Sequence, residues 1–425
     1  MKNNHLINLI KQEVIPAIGC TEPMAVALCT AKSVETLGNK PSEIKVYLSA
    51  NVLKNAMGVG IPGTGGMIGL PIAIALGALA GKSEYLLEVL KDVNNNDVER
   101  AKMLIDEKII SISLKDNINE KLYIEVICKS GNDQSRVIIS GGHINFTYIS
   151  HNDNVLLNRD TKKSDKENSN NQELTLRKVY DFAMNTPIED IRFILESSKL
   201  NKAAAEISFN NNYGHELGKL LSSTENHQMV GNNVFSKILS YTSAACDARM
   251  AGAKIPVITN SGSGNQGIAA TLPVTIYAEN IDASEECLIR ALTLSHLTVI
   301  YIKQNHGRLS AQCGCVVAAT GSACGLVYLM GGNYEHVSFA VKNMIANLTG
   351  MICDGAKPSC SMKVASGVAT AVLSAMLAMS EKCVTSVEGI IDDDVDKSIA
   401  NLTQIGSQGM IETDKMVLEI MTNKN

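Results

Sequence analysis

Four of the eleven cysteines are placed so that they could carry chemistry: Cys20, Cys313, Cys353 and Cys360. No two of them form a C-x-x-C pair, so the pattern gives little support to a structural zinc site. An iron–sulfur cluster needs three or four thiolates that converge from separate elements, and three protein thiolates would leave one iron open to a substrate. Alternatively, the same cysteines have no chemical role and are small residues buried in apolar helices.

The segment TGMICDGAKPSC, residues 349–360, holds two of these cysteines. Gly355 frees the backbone, and Pro358 removes a donor and fixes φ, so the segment is predicted to be a tight turn. Turns of this kind present side chains or backbone N–H groups to a bound molecule. Cys315 and Cys324, by contrast, lie in an apolar helical run and are interpreted as packing residues.

Two glycine-rich loops precede apolar helices: PGTGGMIG, residues 62–69, and NSGSGNQG, residues 260–267. Such a loop exposes backbone N–H groups at a helix N-terminus, which suits a carboxylate or a phosphate. The second loop lacks the Gly-Lys-Ser/Thr ending of a P-loop, and flexible turns are the alternative interpretation. The residues predicted to bind substrate in these loops are Gly63, Thr64, Gly65, Asn260, Ser261, Gly262, Ser263, Gly264 and Asn265.

Cys20 begins the string CTEPMA, which leads into a helix predicted over about 22–37. Cys20 or Thr21 could cap this helix, and Pro23 suits its first turn. Alternatively, a thiol at a helix N-terminus is favoured as the thiolate by the helix dipole. The sequence leaves both interpretations open.

Two further residues are candidates for acid–base chemistry. Lys363 follows Cys360 closely and could be an acid, a base or a partner for a carboxylate, although a surface lysine is the alternative. His296 lies in the apolar string LTLSHLTVIY and is interpreted as a hydrogen-bonded core histidine.

Composition excludes some classes of protein. The net charge is −5 and no long basic run occurs, which argues against a nucleic-acid partner. Three apolar stretches, residues 66–80, 316–330 and 364–379, are shorter than a membrane span of about 20 residues and are predicted to be buried helices. The N-terminus has no apolar run of signal-peptide length, so we expect a cytoplasmic protein with reduced cysteines and no membrane contact.

The order of elements predicts an α+β fold, with a mostly helical catalytic core and a smaller antiparallel β subdomain. Residues 1–107 are predicted to form an N-terminal helical part that carries substrate loops. Residues 108–172 contain short β-branched runs followed by a polar linker at 158–172. Residues 173–425 are predicted to form the helical domain with the metal-ligand cysteines.

Several strings together resemble one family: PAIGCTEPMA, GVGIPGTGG, AACDARMAGA, TNSGSGNQGI, RLSAQCGC and TGMICDGAKPSC. They are similar to the L-cysteine desulfidases, which belong with the iron–sulfur L-serine dehydratase alpha chains, and the resemblance covers about residues 8–422. It implies a four-iron four-sulfur cluster without pyridoxal phosphate. The implied reaction is β-elimination from L-cysteine, giving pyruvate, ammonia and sulfide.

The resemblance also implies roles for individual residues. Cys313, Cys353 and Cys360 match the positions of the cluster ligands. Cys20 matches a cysteine of the desulfidases and is expected to be the base or a fourth ligand, while Thr21 and Glu22 are expected to contact substrate. Dehydration of L-serine or another small amino acid, and amino-acid binding without catalysis, are the alternative functions. A homodimer is expected, because symmetric dimers are the commonest oligomers.

Overall fold

The computed structural model describes residues 4–116, 118, 120–159, 174–306 and 311–423. The predicted linker at 158–172 therefore lies almost wholly outside the described residues. In the first part of the chain, segments with alternating apolar residues form a sheet. The elements of this first part are α1 (Asn4–Glu13), β1 (Pro16–Ile18), α2 (Thr21–Leu37), β2 (Glu43–Leu48), α3 (Ala50–Ala56), α4 (Leu70–Ala80), a 3-10 helix (Ser83–Glu88), α5 (Asn95–Asp106), β3 (Ile110–Leu114), β4 (Tyr123–Ser130), β5 (Asp133–Ser140), β6 (Phe146–His151) and β7 (Asn154–Asn158).

The six-stranded sheet has the order β3-β2-β4-β5-β6-β7. Strands β4 to β7 form the predicted antiparallel meander. β3 departs from the prediction, because it lies at the edge of the sheet and pairs in parallel with β2. Parallel pairing needs a long crossover, and α3, α4 and α5 supply it between the two strands.

One face of this sheet is buried under α2 and α4. Ile44, Val46 and Leu48 alternate along β2 and are buried in the same hydrophobic cluster as these two helices. α4 approaches α2 closely at Gly77, where a Cβ atom would lie 2.6 Å from the carbonyl oxygen of Ala27. The sheet and the helices before it thus share one core. The division of the chain at 107 and 172 remains a prediction.

The second part of the described chain is helical apart from one short strand, which confirms the α+β class. Its elements are α6 (Leu176–Asn185), α7 (Ile188–Ile191), a 3-10 helix (Arg192–Ile194), α8 (Leu195–Asn210), α9 (Leu217–Ser222), a second 3-10 helix (Thr224–Asn226), α10 (His227–Val230), α11 (Val234–Met250), β8 (Pro256–Ile258), α12 (Gly264–Asn280), α13 (Glu285–His306), α14 (Gly314–Leu329), α15 (Tyr334–Leu348), α16 (Cys360–Met379), α17 (Val395–Gln404), a π-helical turn (Ile405–Gly409) and α18 (Ile411–Thr422).

The second core surrounds α13 and α14 and contains few aromatic side chains. Small residues bring the two helices together, since a Cβ atom on Gly321 would lie 2.4 Å from the carbonyl oxygen of Ser295. α16 packs beside them and has 20 residues, longer than its predicted apolar stretch. By length and composition it could cross a membrane, yet half of it is buried inside the protein, as in an ordinary core helix.

Several contacts join the first part of the chain to the second, and two of them bear on the candidate site. β1 pairs in antiparallel fashion with β8, so the start of α2 and the loop before α12 become neighbours. In the second contact, Lys54 of α3 forms an ion pair with Asp414 of α18 and is 2% exposed. The Lys54 ammonium also donates to the carbonyl oxygen of Cys353 at 3.5 Å.

We expect the Asp414→Asn variant to lose about 3 kcal/mol of the free energy of unfolding, because the Lys54 ammonium would stay buried without its carboxylate. The double variant Lys54→Met, Asp414→Asn buries no charge and should regain more than half of this loss. Urea unfolding followed by circular dichroism measures both values.

Glu412→Gln is the matched control, because Glu412 lies on the same helix and pairs with Lys415 at the exposed surface. It should change stability little. A double variant no more stable than Asp414→Asn alone would contradict the electrostatic explanation.

Candidate active site

Where the two parts of the chain meet lies a cavity of about 490 Å³, called here the central cavity. Four long helices begin at its wall: α2 after Cys20, α12 after Ser263, α14 after Cys313, and α16 at Cys360. The first N–H groups of a helix lack partners within the helix, and the helix dipole is positive at this end. The central cavity is therefore suited to anionic groups.

All three predicted metal-ligand cysteines lie at the wall of the central cavity. The backbone N–H of Cys313 donates to Met351 at 2.8 Å, and that of Cys353 donates to Ala311 at 2.6 Å. These bonds flank the antiparallel bridge between Gln312 and Ile352. Cys313 and Cys353 are thus diagonal neighbours on one face of a short two-stranded ribbon, because side chains alternate along a strand.

Cys360 reaches the same cavity through the predicted tight turn. Gly355 has a φ of +89°, and a Cβ atom there would lie 2.2 Å from the carbonyl oxygen of Lys54. Only glycine adopts this conformation at no steric cost and allows such a close approach. The chain then turns into α16, where the Cys360 thiol donates to the Gly355 carbonyl oxygen at 3.6 Å.

The three thiols differ in their electrostatic surroundings. A hydrogen bond from Cys315 lowers the pKa of Cys313 to about 7, against the opposing effect of burial. Burial raises the pKa of Cys353, and it raises that of Cys360 to about 11. Cys315 is interpreted from sequence as a packing residue, but it also lies at the cavity wall and contacts the candidate ligand Cys313. Cys324 is buried and does not line the cavity.

The chemistry of these donors fits an iron–sulfur cluster. Among the described residues, no three histidine, cysteine or acidic side chains converge on the position of a single metal ion. Thiolates that hold a four-iron cluster bind different irons, so they need not converge on one point. Cys313, Cys353 and Cys360 are the residues that could hold such a group.

Glu22 is a buried carboxylate with several donors around it. Cys20 Sγ donates to its Oε2 at 3.1 Å, and Thr21 Oγ1 lies 3.0 Å from the same oxygen. Asn55 Nδ2 donates to Oε1 at 3.3 Å, and His143 Nε2 lies 3.9 Å from Oε1. Burial alone raises the pKa of Glu22, but His143 and the donors hold it below its usual value, so the carboxylate is ionised.

The predicted thiolate at Cys20 is not supported. Cys20 does occupy the N-cap position of α2, but its side chain makes no capping hydrogen bond. Burial raises the pKa of the Cys20 thiol well above its usual range, and the neighbouring Glu22 carboxylate raises it further. The helix dipole, on which the sequence interpretation relied, is outweighed by these two effects, so Cys20 carries its proton.

The loop at 260–265 contributes to the cavity wall with four of its six residues: Ser261, Gly262, Ser263 and Asn265. Thr21 Oγ1 also lies 3.1 Å from the Gly262 carbonyl oxygen, and this contact joins the loop to α2. Asn260 and Gly264, also predicted to bind substrate, do not line the cavity. Gly264 packs against the Arg249 guanidinium, and the Asn260 side chain points into the core.

Asn260 is held by His296, the predicted core histidine. Asn260 Nδ2 donates to His296 Nδ1 at 3.0 Å, and His296 Nε2 lies 3.0 Å from Thr271 Oγ1. Nδ1 therefore accepts, and the proton resides on Nε2 of a neutral ring. Burial lowers the pKa of His296 to about 3, which agrees with this arrangement.

Acid should consequently destabilise the protein through His296. An unfolded histidine binds a proton near pH 6.5, whereas folded His296 does so only near pH 3, so the unfolded state holds more protons between these values. We expect this group to remove about 1.4 kcal/mol of the free energy of unfolding per pH unit as pH falls below about 6.

Urea unfolding at pH 7, 6 and 5 measures this slope, which should be shallower in His296→Gln. The control His5→Gln alters an exposed histidine and should keep the wild-type slope. An unchanged slope in His296→Gln would show that other groups cause the acid sensitivity.

Besides Asn260 and Gly264, four further predicted site residues lie outside the cavity wall. Gly63, Thr64 and Gly65 are not part of it, because Thr64 closes its own turn by donating to Ile61 at 2.7 Å. Lys363, predicted to be catalytic, pairs with Asp354 and donates to the Ile352 carbonyl oxygen at 2.8 Å.

The charge of Lys363 still acts on the site. Burial alone lowers the pKa of Lys363, but the Asp354 carboxylate more than offsets this, so the ammonium keeps its proton. Its positive charge favours the thiolates of Cys313 and Cys353 from outside the cavity.

The cavity wall also contains polar residues that were not predicted: Asn55, His143, Arg249, Gln266 and Lys303. Arg249 lies in the string AACDARMAGA, which is one of the strings that carry the family resemblance. A charged residue in so apolar a string could have identified it as a candidate site residue. Gln266 lies in the glycine-rich loop at 260–267, and the other three have no distinguishing spacing in the sequence.

The helical part and the sheet-bearing part of the chain meet at a cavity that is lined by thiols and suited to a small anionic molecule, as in a small-molecule enzyme. The chain belongs to the serine dehydratase alpha chain family, whose model matches residues 84–419. This confirms the predicted relation to these alpha chains, and membership indicates a lyase of the dehydratase type.

Similar proteins match over nearly the whole chain. A UPF0597 protein of Bacteroides fragilis is 68% identical, over 100% of this chain and 99% of its own length. A UPF0597 protein of Phocaeicola vulgatus is also 68% identical, over 100% of this chain and 98% of its own. One from Shewanella pealeana is 45% identical, with 98% of each chain covered.

Proposed function

We propose that this protein is an iron–sulfur lyase that eliminates the thiol of L-cysteine and releases pyruvate, ammonia and sulfide. The observation that carries the proposal is the placement of Cys313, Cys353 and Cys360 at one cavity together with the Cys20–Glu22 pair. The first set could hold a cluster, and the second could move a proton. Both are needed for β-elimination.

Cys313, Cys353 and Cys360 would hold a four-iron four-sulfur cluster with one iron lacking a protein ligand. When bound, such a cluster supplies a Lewis acid for the departing sulfur or oxygen. The cation of Lys363 lies near these thiols and would stabilise their ionised form. Pyridoxal phosphate has no place in this proposal.

The proposed base is Cys20 acting with Glu22. Cys20 is protonated at rest and acts as a relay. Its sulfur takes the proton from the substrate Cα while its own proton passes to Glu22 Oε2, 3.1 Å away, so no free thiolate is formed. The electrons of the Cα–H bond form the Cα=Cβ double bond, while the Cβ–S bond breaks and its electron pair leaves with sulfur. The resulting aminoacrylate tautomerises to an imine, which water hydrolyses to pyruvate and ammonia.

Dehydration of L-serine is the second candidate, and the family description favours it. The same residues would act, with hydroxide leaving in place of hydrosulfide. We also propose a cytoplasmic location, because exposed iron needs a reducing compartment. We propose in addition that the protein is a homodimer.

The deciding experiment is anaerobic purification and reconstitution with iron and sulfide, followed by addition of L-cysteine or L-serine. We expect a brown protein that releases sulfide and pyruvate in equal amounts from L-cysteine, with no stimulation by pyridoxal phosphate. Pyruvate from L-serine with a higher kcat/KM would favour the dehydratase. A reconstituted protein that binds amino acids but turns over neither would identify a binding protein.

A further inference from the structure

Arg249 is a buried cation at the wall of the central cavity. It is 3% exposed, and its Nη1 donates to Asn265 Oδ1 at 3.0 Å. Among the described residues, no aspartate or glutamate forms an ion pair with it, and its Nε has no hydrogen-bond partner. A buried charge without a counter-ion is unfavourable, so this arrangement indicates a site for an anion.

Gln266 is a second unsatisfied group on the same wall. It is 5% exposed, and its Oε1 has no hydrogen-bond partner. Two glycines make room for these side chains. A Cβ atom on Gly264 would lie 2.1 Å from Arg249 Nε, and one on Gly314 would lie 2.9 Å from the Gln266 carboxamide. The fold thus keeps space beside the cavity for two polar groups that it does not itself satisfy.

The opposite charge is also present. Glu22 is an ionised carboxylate at the wall of the same cavity, and it makes no ion pair with Arg249. Cys20 lies at the wall of the same cavity as Arg249 and Glu22, and its Sγ is 3.1 Å from Glu22 Oε2. An α-amino acid has a matching pair of charges on the two sides of its Cα.

We propose that Arg249 binds the carboxylate of the substrate and that the ammonium group faces Glu22, with Gln266 Oε1 as a further acceptor for its protons. The substrate class is thereby the small α-amino acids with both groups free. This arrangement places Cα next to Cys20, and it directs the side chain to the remaining wall, where the three cluster cysteines lie. The inference rests on the proposed function for its account of turnover, but the binding site can be tested without turnover.

The test uses the full-length, anaerobically reconstituted protein and two thiol probes. 3-Mercaptopropionate has the carboxylate of cysteine without its amino group, and cysteamine has the amino group without the carboxylate. Calorimetry should show 3-mercaptopropionate binding weakened by about 10- to 100-fold in Arg249→Met, because a charge-assisted hydrogen-bonded contact is lost. Cysteamine binding should change less than about threefold, and Arg249→Lys should recover part of the loss.

Arg192→Met is the matched control, since it makes the same change at an exposed arginine that pairs with Glu285 at 2.6 Å. It should bind both probes as the wild type does. Equal binding of 3-mercaptopropionate by wild type and Arg249→Met would overturn the proposal. An equal loss of affinity for both probes, in folded Arg249→Met and in Arg249→Lys, would also overturn the proposal.

The two proposals fail in different ways. Carboxylate binding that depends on Arg249, in a protein that turns over no amino acid, would remove the lyase and keep the site. Turnover of L-cysteine with an unchanged KM in both Arg249 variants would keep the lyase and remove the site.

Discussion

Replacing Cys313, Cys353 and Cys360 together by serine is expected to remove the bound iron and to lower turnover by roughly 10³-fold or more. Serine oxygen is a harder and more basic donor than thiolate, which iron–sulfur clusters require. The three thiols converge on one cavity from the ends of α14, the short ribbon and α16. Their loss therefore removes the complete set of protein ligands that we propose.

Iron content and visible absorption of the anaerobic protein are the primary measurements, because they do not depend on the choice of substrate. Cys287→Ser is the matched control: Cys287, like Cys353, is partly exposed, but it lies outside the cavity wall. It should keep wild-type iron. A triple variant that still takes up stoichiometric iron and absorbs in the visible range would contradict the ligand assignment.

Replacing Glu22 by glutamine is expected to lower kcat by about 10²- to 10⁴-fold while iron is retained. The carboxamide cannot accept the proton of Cys20, so Cys20 could not take a proton from the substrate Cα. Cys20→Ser should lower kcat over the same range, because a serine hydroxyl is harder still to deprotonate in this buried position. Steady-state kinetics with L-cysteine and an iron determination on each variant measure these effects.

Thr21→Val is the matched control for the Glu22 variant. It removes one donor to the Glu22 carboxylate but leaves the path from Cys20 to Glu22, so kcat should fall less than tenfold. Loss of iron in Cys20→Ser would instead make Cys20 a fourth ligand. Wild-type kcat in Glu22→Gln would show that Glu22 does not accept the proton.

Much of the local structure follows from the sequence. Apolar periodicity predicts α2 and the strands from β4 to β7, because side-chain burial on one face is a local property of a helix or strand. The sequence also identifies candidate metal-binding residues: the cysteines at the start of α14 and α16, together with the turn that contains Gly355. Their residue types alone specify thiol chemistry.

Which of these residues face the central cavity was decided by tertiary structure. The glycine-rich strings at 62–69 and 260–267 resemble each other in sequence, yet only the second borders the cavity, because the pairing of β1 with β8 brings it to α2. Asn260 turns inward for a partner on α13, 36 residues away. No local pattern contains that information.

The ionisation and pairing of the charged side chains depend even more strongly on tertiary structure. The sequence placed Cys20 at a helix N-terminus, where a thiolate is favoured, but burial and the Glu22 carboxylate keep its proton in place. Arg249 is important because no described acidic residue pairs with it, and that is a property of its whole surroundings. The sequence by itself therefore determined which chemical groups the protein has, and tertiary structure decided their burial, partners and ionisation, because desolvation and Coulomb interactions depend on distance in space.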